Sequence, residues 1–159
     1  MSIESVRKYL EPFGVAARMQ EFEVSSATVD LAAAALGCPS CRIAKTLSFI
    51  VQDVPVLIVT AGDARIDNPR YKAQFGAKAK MIPADETAMR VGHAVGGVCP
   101  FAVNDGVRVY LDVSLKRFET VFPACGSASS AIELTISELE RCAQPVGWVD
   151  VCKGWREGE

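Results

Sequence analysis

Two apolar segments separated by a very short connection constrain this chain more than any other feature. The first runs from Cys41 to Val51 and has the composition of a half-buried strand. The second, Pro55–Thr60, is almost continuously apolar, and only Gln52-Asp-Val54 joins the two. Two such runs with so short a turn between them predict an antiparallel hairpin, so the fold must contain a β-sheet built around it.

Lys45 lies in the middle of the first predicted strand, on the side that is otherwise apolar. Side chains alternate between the faces of a strand, so one face carries Ile43, Lys45, Leu47 and Phe49, and the wetter face carries Arg42, Ala44, Thr46 and Ser48. An unpaired ammonium group among apolar side chains is unfavourable. We therefore expect it to meet an anion, a carbonyl or a ligand. The alternative is a surface lysine whose stem lies on apolar groups.

Helices and further strands are predicted along the rest of the chain. Helical patterns and caps predict helices at Ser2–Leu10, from Thr28 to a stop at Gly37, after an Asn68 cap, at Pro83–Val91, and from a Thr135 capping box to about Cys142. Extended segments are predicted at residues 15–24, 80–82, 107–111, 120–122, 131–134 and 146–151. Short hairpins outnumber regular crossovers. The sequence thus predicts one domain spanning residues 1–159, of the α+β (mixed α/β) class with a mixed sheet.

Composition narrows the classes of function. Lys and Arg total 17 against 19 for Asp and Glu, and the net charge is −2. This balance argues against broad electrostatic binding of nucleic acid, which needs many phosphate contacts, but leaves open the binding of one nucleic-acid terminus. No apolar run approaches the ~20 residues of a membrane span, and the N-terminus lacks the apolar core of a secretory signal. We expect a soluble, cytoplasmic protein that binds neither DNA nor a membrane.

A glycine-rich loop, Gly96-Gly-Val-Cys-Pro100, is the second candidate for a functional segment. Adjacent glycines adopt backbone angles closed to other residues and let main-chain N–H groups approach a ligand. Such amides can hold a carbonyl or an oxyanion without a catalytic side chain. A simple tight turn between a helix and a strand is the alternative for the loop taken alone.

Other chemistries have weaker support. His93 is the single histidine, and no Gly-x-Ser-x-Gly motif accompanies it, so a catalytic triad is not predicted. The Cys38-Pro-Ser-Cys41 pair has dithiol spacing, but it precedes a strand, whereas the redox pair of thioredoxin-like proteins opens a helix. No second Cys-x-x-Cys completes a zinc site. A cysteine-based redox or metal protein therefore remains only an alternative.

Several motifs in this order resemble the YbaK/prolyl-tRNA-synthetase-associated domain family, the trans-editing aminoacyl-tRNA deacylases. The similar residues are Lys45-Thr-Leu47, Gly92 followed by Gly96-Gly-Val-Cys-Pro100, Asp112 with Leu115, and Gly126 before Ile132-Glu-Leu134. The match extends from the helix at residues 25–37 to the segment at residues 133–139. The lysine followed at this distance by Gly-Gly-x-x-Pro is the most specific part.

The resemblance implies a mixed, barrel-like sheet flanked by helices and hydrolysis of the ester that joins a wrong amino acid to tRNA. It implies no metal or other cofactor. In such enzymes the lysine that Lys45 matches holds the terminal adenosine or the aminoacyl group, and amides of the matching loop hold the acyl carbonyl. Lys45, Gly96 and Gly97 are therefore the candidate catalytic residues. Thr28, His93 and Pro100 are candidates for the wall of the substrate pocket.

The expected function is removal of a small amino acid such as Ala, Cys or Ser from misacylated tRNA, with tRNA-Pro as the favoured acceptor. The partner would be the 3′ aminoacyl-adenosine end of the tRNA, and an association with an aminoacyl-tRNA synthetase is left open. Ala102 replaces a glycine that often follows the family loop, and His93 stands where tyrosine is common. These departures concern substrate identity. A non-catalytic module of the same fold that binds a tRNA end or a small ligand is the alternative.

Overall fold

Short helices and strands are interleaved along the chain, and the computed structural model describes residues 2–158. The helices in that range are α1 (Ser2–Leu10), α2 (Val29–Leu36), α3 (Asn68–Phe75), α4 (Ala84–Val91) and α5 (Ile136–Ala143). The strands are β1 (Gln20–Glu21), β2 (Ile43–Val51), β3 (Val54–Ala61), β4 (Arg65–Ile66), β5 (Arg108–Asp112), β6 (Thr120–Pro123), β7 (Ser130–Ala131), β8 (Leu134–Thr135), β9 (Gly147–Val149) and β10 (Cys152–Lys153).

The predicted hairpin is confirmed and forms the centre of the main sheet. β2 and β3 are antiparallel, with Lys45 opposite Thr60 and Val51 opposite Val54. Gln52 and Asp53 make the turn, with positive φ angles of 50° and 64°. Two consecutive left-handed residues match the right-handed twist of the flanking strands. The turn therefore fixes the register in which Lys45 lies opposite Thr60.

The hairpin is extended on both sides into a mixed sheet. The six strands lie in the order β8-β6-β2-β3-β5-β9. Strands β6 and β5 run parallel to β2 and β3, respectively, and β9 runs parallel to β5, whereas β8 is antiparallel to β6. The sheet curls into a half-barrel, and the predicted mixed α/β class is confirmed.

The predicted helix ends are confirmed where a cap is present. The hydroxyl of Thr28 accepts a hydrogen bond from the Leu31 amide at 3.2 Å, and α2 ends at Gly37, whose φ of 68° is left-handed. Helix α5 begins with the predicted capping box, in which Thr135 and Glu138 each bond the backbone of the other. Each cap satisfies amides or carbonyls that have no partner within the helix.

The core lies between the sheet and the helices. Residues Val56–Ala61 of β3 are buried without interruption, as the apolar run predicts. Aromatic rings then connect the sheet to α3: Tyr71 lies 5.1 Å from Phe49 and 4.8 Å from Phe75, measured between ring centroids. No helix within residues 2–158 is long and apolar enough to cross a membrane.

A buried carboxylate joins the end of the sheet to the C-terminal segment. Asp112 accepts hydrogen bonds from the amides of Ser114 and Val151, each at 2.9 Å. The first bond caps the turn that follows β5. The second, to a residue 39 positions away, holds the chain that follows β9 against the same strand end.

Four local predictions were wrong. Residues 131–134 do not form one strand: β7 pairs with β1, whereas β8 pairs with β6, because the Ile132 amide turns to bond the Pro123 carbonyl at 3.0 Å. Residues 80–82 contribute only one bridge, between Met81 and Phe49. Residues 15–24 form a short 3-10 helix and the two-residue strand β1 instead of one extended segment. The residue before helix α3 is Asp67, and Asn68 already lies inside the helix.

The expected difference between the faces of β2 was also partly wrong. Ala44 and Ser48, which the alternation places on the wetter face, are buried. Both faces meet apolar clusters at the start of the strand, because Ala44 belongs to the main core and Ile43 packs with Ala32 of α2. Lys45, Thr46 and Leu47, which follow, are partly exposed.

Candidate functional site

A cavity of about 420 Å³ lies beside β2 and contains the most polar part of that strand. Residues 43–48 of β2 form one wall, and the segment Ser26–Val29 at the start of α2 forms another. Met81, Gly96 and Phe122 belong to three further segments that close it. The cavity thus collects residues from both halves of the sequence.

Lys45 lies in this cavity with its ammonium group partly buried. Its Nζ atom donates a hydrogen bond to the carbonyl oxygen of Gly62 at 3.4 Å. Burial lowers the pKa of Lys45, and the thiol of Cys152 and the carboxylate of Asp63 act in the opposite direction. The ammonium therefore meets a carbonyl, one of the partners that the strand pattern predicts. The residue also belongs to the cavity lining.

The glycine-rich loop borders the same cavity and contains unpaired backbone donors. Gly96 has a φ of 94°, and Gly96 and Val98 both line the cavity. Within residues 2–158, the amides of Gly96 and Val98 have no hydrogen-bond partner. An amide without a protein partner beside a cavity is a ready donor to a ligand carbonyl or oxyanion.

Gly97 has a different place in the loop from the one the sequence suggests. Its amide donates to the Ala94 carbonyl at 3.0 Å, and the residue is buried outside the cavity lining. A Cβ atom at this position would lie 2.7 Å from Gly126 C and from Ser127 N. Gly97 therefore allows the loop to pack closely against the chain after β6, while Gly96 and Val98 are the better placed donors.

His93, which precedes the loop, and Pro100, its last residue, both lie outside the cavity lining. His93 is fully buried, and its Nε2–H donates to the Phe101 carbonyl at 2.6 Å, with Cys99 Sγ 3.5 Å from the same nitrogen. Its Nδ1 atom has no partner within residues 2–158. Burial lowers the pKa of His93, so the imidazole is neutral at physiological pH. In this structure the histidine bridges the two ends of the loop.

Thr28 combines a structural role with a place in the cavity wall. Its hydroxyl caps α2, and the residue lines the cavity. Capping fixes the rotamer of the side chain, because the oxygen must face the Leu31 amide. Of the six residues that the sequence selects, Lys45, Gly96 and Thr28 thus line one cavity, whereas Gly97, His93 and Pro100 lie outside its lining.

Hydroxyl groups are the part of the site that sequence reasoning missed. The cavity lining includes Ser26, Thr46, Ser48, Thr87 and Ser130. The Oγ1 atom of Thr46 is buried with no hydrogen-bond partner within residues 2–158. Small polar residues on the second face of the Lys45 strand were the available signal, because a truly exposed face would favour longer charged side chains.

The thiols and the metal alternatives gain no support from the geometry. Among residues 2–158, no group of three or more His, Cys, Asp or Glu side chains could hold a metal ion. Cys38 and Cys41 are half-buried free thiols, and the other four cysteines are buried. Burial raises the pKa of the Cys99 thiol to about 12, which disfavours the reactive thiolate.

Comparison with known sequences and structures defines the class of protein. The sequence profile of the Aminoacyl-tRNA editing domain matches residues 23–142, which is most of the chain. The chain therefore belongs to this family, and the predicted relationship to the YbaK-type editing proteins is confirmed.

Individual relatives extend the comparison over nearly the whole chain. It is 51% identical over 156 residues to the uncharacterized protein YwhH of Bacillus subtilis strain 168, which covers 98% of this chain and 99% of that protein. It is 33% identical over 101 residues to the proline–tRNA ligase of Shouchella clausii, covering 63% of this chain and 17% of the ligase. A crystal structure of a protein with a proposed trans-editing role for prolyl-tRNA synthetase matches with a TM-score of 0.86 at 27% identity, covering 96% of this chain and 98% of that one.

Proposed function

We propose that this chain is a trans-editing hydrolase of the cytoplasm that removes a small amino acid, such as Ala, Cys or Ser, from misacylated tRNA-Pro. Water adds to the acyl carbonyl, the ester bond to the ribose breaks, and the ribose oxygen takes up a proton. Membership of the editing-domain family and the similarity to part of a proline–tRNA ligase support this class of substrate.

The observation that carries the proposal is the pairing of one cation with free backbone donors in one cavity. Lys45 supplies the cation, and Gly96 and Val98 supply the amides. An aminoacyl ester at the end of a tRNA brings the complementary groups, an acyl carbonyl beside a nucleotide rich in acceptors. The cavity thus has a donor for each of these acceptors and needs no metal to bind them.

Lys45 would hold the nucleotide or acyl end of the substrate. Its ammonium already donates to the Gly62 carbonyl, which limits its freedom before the substrate arrives. Positioning of this kind lowers the barrier, because less freedom remains to be lost in the transition state. The low polarity around the group also strengthens its attraction for an anion or a carbonyl.

The loop amides would stabilise the charge that develops on the carbonyl oxygen during attack by water. Removal of one such donor costs about 3 kcal/mol at related oxyanion sites. Gly96 has a left-handed φ and lines the cavity. The hydrogen bond from His93 to the Phe101 carbonyl joins the residues that flank the loop. The backbone can perform this role without any catalytic side chain in the loop.

The attacking water needs a base, and within residues 2–158 the cavity lining contains no carboxylate, histidine or thiol. Lys45 is the one titratable side chain in the lining, and in the proposed role it stays protonated. We therefore assign activation of the water to the substrate itself, through a hydroxyl of the terminal ribose. The absence of a triad in the described residues agrees with this assignment.

Selection would depend on the size of the acyl group. A cavity of about 420 Å³ shared with part of a nucleotide leaves room for a small side chain. An additional methylene changes binding by only about 1–3 kcal/mol in a synthetase pocket. A separate editing site that is too small for the cognate amino acid therefore adds a second step of selection by size.

The test is deacylation by the purified full-length chain. Ala-, Cys-, Ser- and Pro-charged tRNA-Pro are incubated with the protein, and loss of the esterified label is followed against buffer alone. We expect rapid cleavage of at least one small non-cognate ester and survival of Pro-tRNA-Pro. If every ester keeps its buffer half-life while charged tRNA binds, the non-catalytic binding module is the correct function.

The matched variants are Lys45→Ala and Lys8→Ala. Both remove one positive charge, but Lys8 is exposed on α1 and lies outside the cavity lining. We expect Lys45→Ala to lower kcat/KM by two orders of magnitude or more with an unchanged circular dichroism spectrum, and Lys8→Ala to retain the full rate. Near wild-type turnover by Lys45→Ala would remove the proposed role of the lysine.

A further inference from the structure

The cavity offers a ligand no negative charge. Lys45 is the one charged side chain in its lining within residues 2–158. The other lining residues are apolar or small, or carry hydroxyl groups, and none is Asp or Glu. A positively charged group on the ligand would therefore have hydroxyl and backbone oxygens as partners, with a cation as its neighbour.

Two carboxylates near the site, Asp63 and Glu86, are paired with arginines. Asp63, the carboxylate that acts on Lys45, is held by both terminal nitrogens of Arg117 at 2.6 and 2.9 Å. Glu86 of α4 pairs with Arg90 at 3.3 Å. Neither carboxylate belongs to the cavity lining. Turning Asp63 inward would break both of its hydrogen bonds to the partly buried Arg117, which is unfavourable.

An aminoacyl ester carries an α-amino group next to the carbonyl that is attacked. The pKa of a free α-amino group is ~7.7–8.0, so this group is a cation in much of the substrate near neutral pH. In the cavity it would lose hydration without gaining a counter-ion, and a like charge would stand close by. The ammonium form of the substrate is therefore the poorer ligand.

We propose that the cavity binds the acyl group in an uncharged form, so that the substrates include esters of α-hydroxy acids on tRNA as well as aminoacyl esters with a neutral amine. The inference rests on the proposed function and extends it to a second chemical class. Hydrolysis of a lactyl ester is balanced in the same way: water adds to the carbonyl, the ester bond breaks, and lactic acid and free tRNA are released.

The hydroxyl groups of the lining fit such a substituent. A hydroxyl both donates and accepts a hydrogen bond, whereas an ammonium group only donates. Six residues of the lining carry a hydroxyl group: Ser26, Thr28, Thr46, Ser48, Thr87 and Ser130. A neutral amine and an α-hydroxyl can each pair with a hydroxyl in either direction. The lining therefore accepts the two substituents alike.

Alanyl and lactyl esters of one tRNA provide the test, because they differ only in the α-substituent. The lactyl ester is made by nitrous acid deamination of the alanyl ester. Values of kcat/KM are measured with the full-length chain from pH 5.5 to 8.5, each corrected for hydrolysis in buffer. The ratio of the two values cancels every ionisation of the protein, since both substrates meet the same site.

We expect the ratio of lactyl to alanyl kcat/KM to rise as the pH falls, by roughly tenfold per unit below the pKa of the substrate amine. Above pH 8 the ratio should be constant, and at pH 6 it should exceed that constant value by more than tenfold. A ratio that is constant, or that falls with decreasing pH, overturns the inference, as does cleavage of alanyl ester without cleavage of lactyl ester. In these cases the proposed function stands. If no acyl-tRNA is cleaved faster than in buffer, the proposed function fails, and this inference fails with it.

Discussion

The Nζ atom of Lys45 lies 3.4 Å from the carbonyl oxygen of Gly62, at the end of the strand that pairs with its own. The cation of the cavity is therefore positioned by the main chain and not by an ion pair. Burial opposes its charge, and one backbone acceptor compensates only part of the lost hydration. The positive charge at this position should therefore support the proposed function but lower the stability of the fold.

Replacement of Lys45 by methionine tests this opposition. Met keeps the apolar stem and removes the partly buried charge, so we expect the free energy of unfolding to stay unchanged or to rise by up to about 1 kcal/mol. Deacylation should be lost in the same variant. Urea denaturation and the tRNA assay measure the two effects, with Lys8→Met as the surface control. A clear loss of stability in Lys45→Met would show that the ammonium–carbonyl bond supports the fold.

Gly97→Ala and Gly147→Ala form a matched pair of glycine substitutions. A methyl group at residue 97 would overlap the backbone at Gly126 and Ser127, whereas the space around Gly147 is open and its φ is not positive. We expect Gly97→Ala to lower the free energy of unfolding by about 1–3 kcal/mol, and Gly147→Ala to change it by less than about 0.5 kcal/mol. Equal stability of the two variants would contradict the close packing of the loop.

The single histidine gives a clean spectroscopic prediction. Because burial lowers the pKa of His93 below its usual 6.5, its imidazole resonances should titrate below pH 6.5 or stay constant until the protein unfolds. The unfolded chain then binds more protons than the folded chain between the two pKa values, so stability should fall as the pH drops below about 6.5. A titration of the folded protein by NMR checks this. A midpoint above 6.5 would mean that the ring faces solvent or an anion.

The capping box of α5 predicts a second acid transition. The hydrogen bond from Arg18 and the bond from the Thr135 amide lower the pKa of Glu138 to about 2 from 4.5. Its contribution to stability is thus complete above pH 4.5 and is lost as the pH falls toward 2. Glu138→Gln keeps the cap but removes the charge, so its thermal stability should lie below that of the wild type at pH 6 and approach it at pH 2. Parallel curves over that range would contradict the assigned pKa.

The local part of this fold was predictable because it depends on neighbouring residues. The turn at Gln52 and Asp53, the Thr28 cap and the Thr135 capping box are short-range patterns that specify one geometry each. Parallel pairing of β5 and β6 with the hairpin was not predictable, since these contacts join residues more than 50 positions apart. Such pairing depends on burial over the whole sheet, and no local repeat of apolar residues reports which strands become neighbours.

The site was predictable to the same extent. Lys45 was identifiable because a charge on an apolar strand face is costly, and Gly96 because paired glycines expose backbone amides. The sequence could not distinguish Gly96 from Gly97, because only the folded loop shows that the Gly97 amide donates to the Ala94 carbonyl. The unpaired Thr46 hydroxyl was equally hidden, because a threonine in a strand usually fits the pattern without any ligand.

The lack of a side chain at Gly62 affects the position of Lys45, because the Gly62 carbonyl accepts the hydrogen bond of the ammonium. A side chain there would overlap the Ser40 carbonyl, so the strand end that supports Lys45 is wedged against the turn preceding β2. Any side chain at residue 62 would push apart the turn at Ser40 and the strand end that carries the acceptor of the ammonium. The position of the lysine thus depends on a glycine that touches no ligand itself.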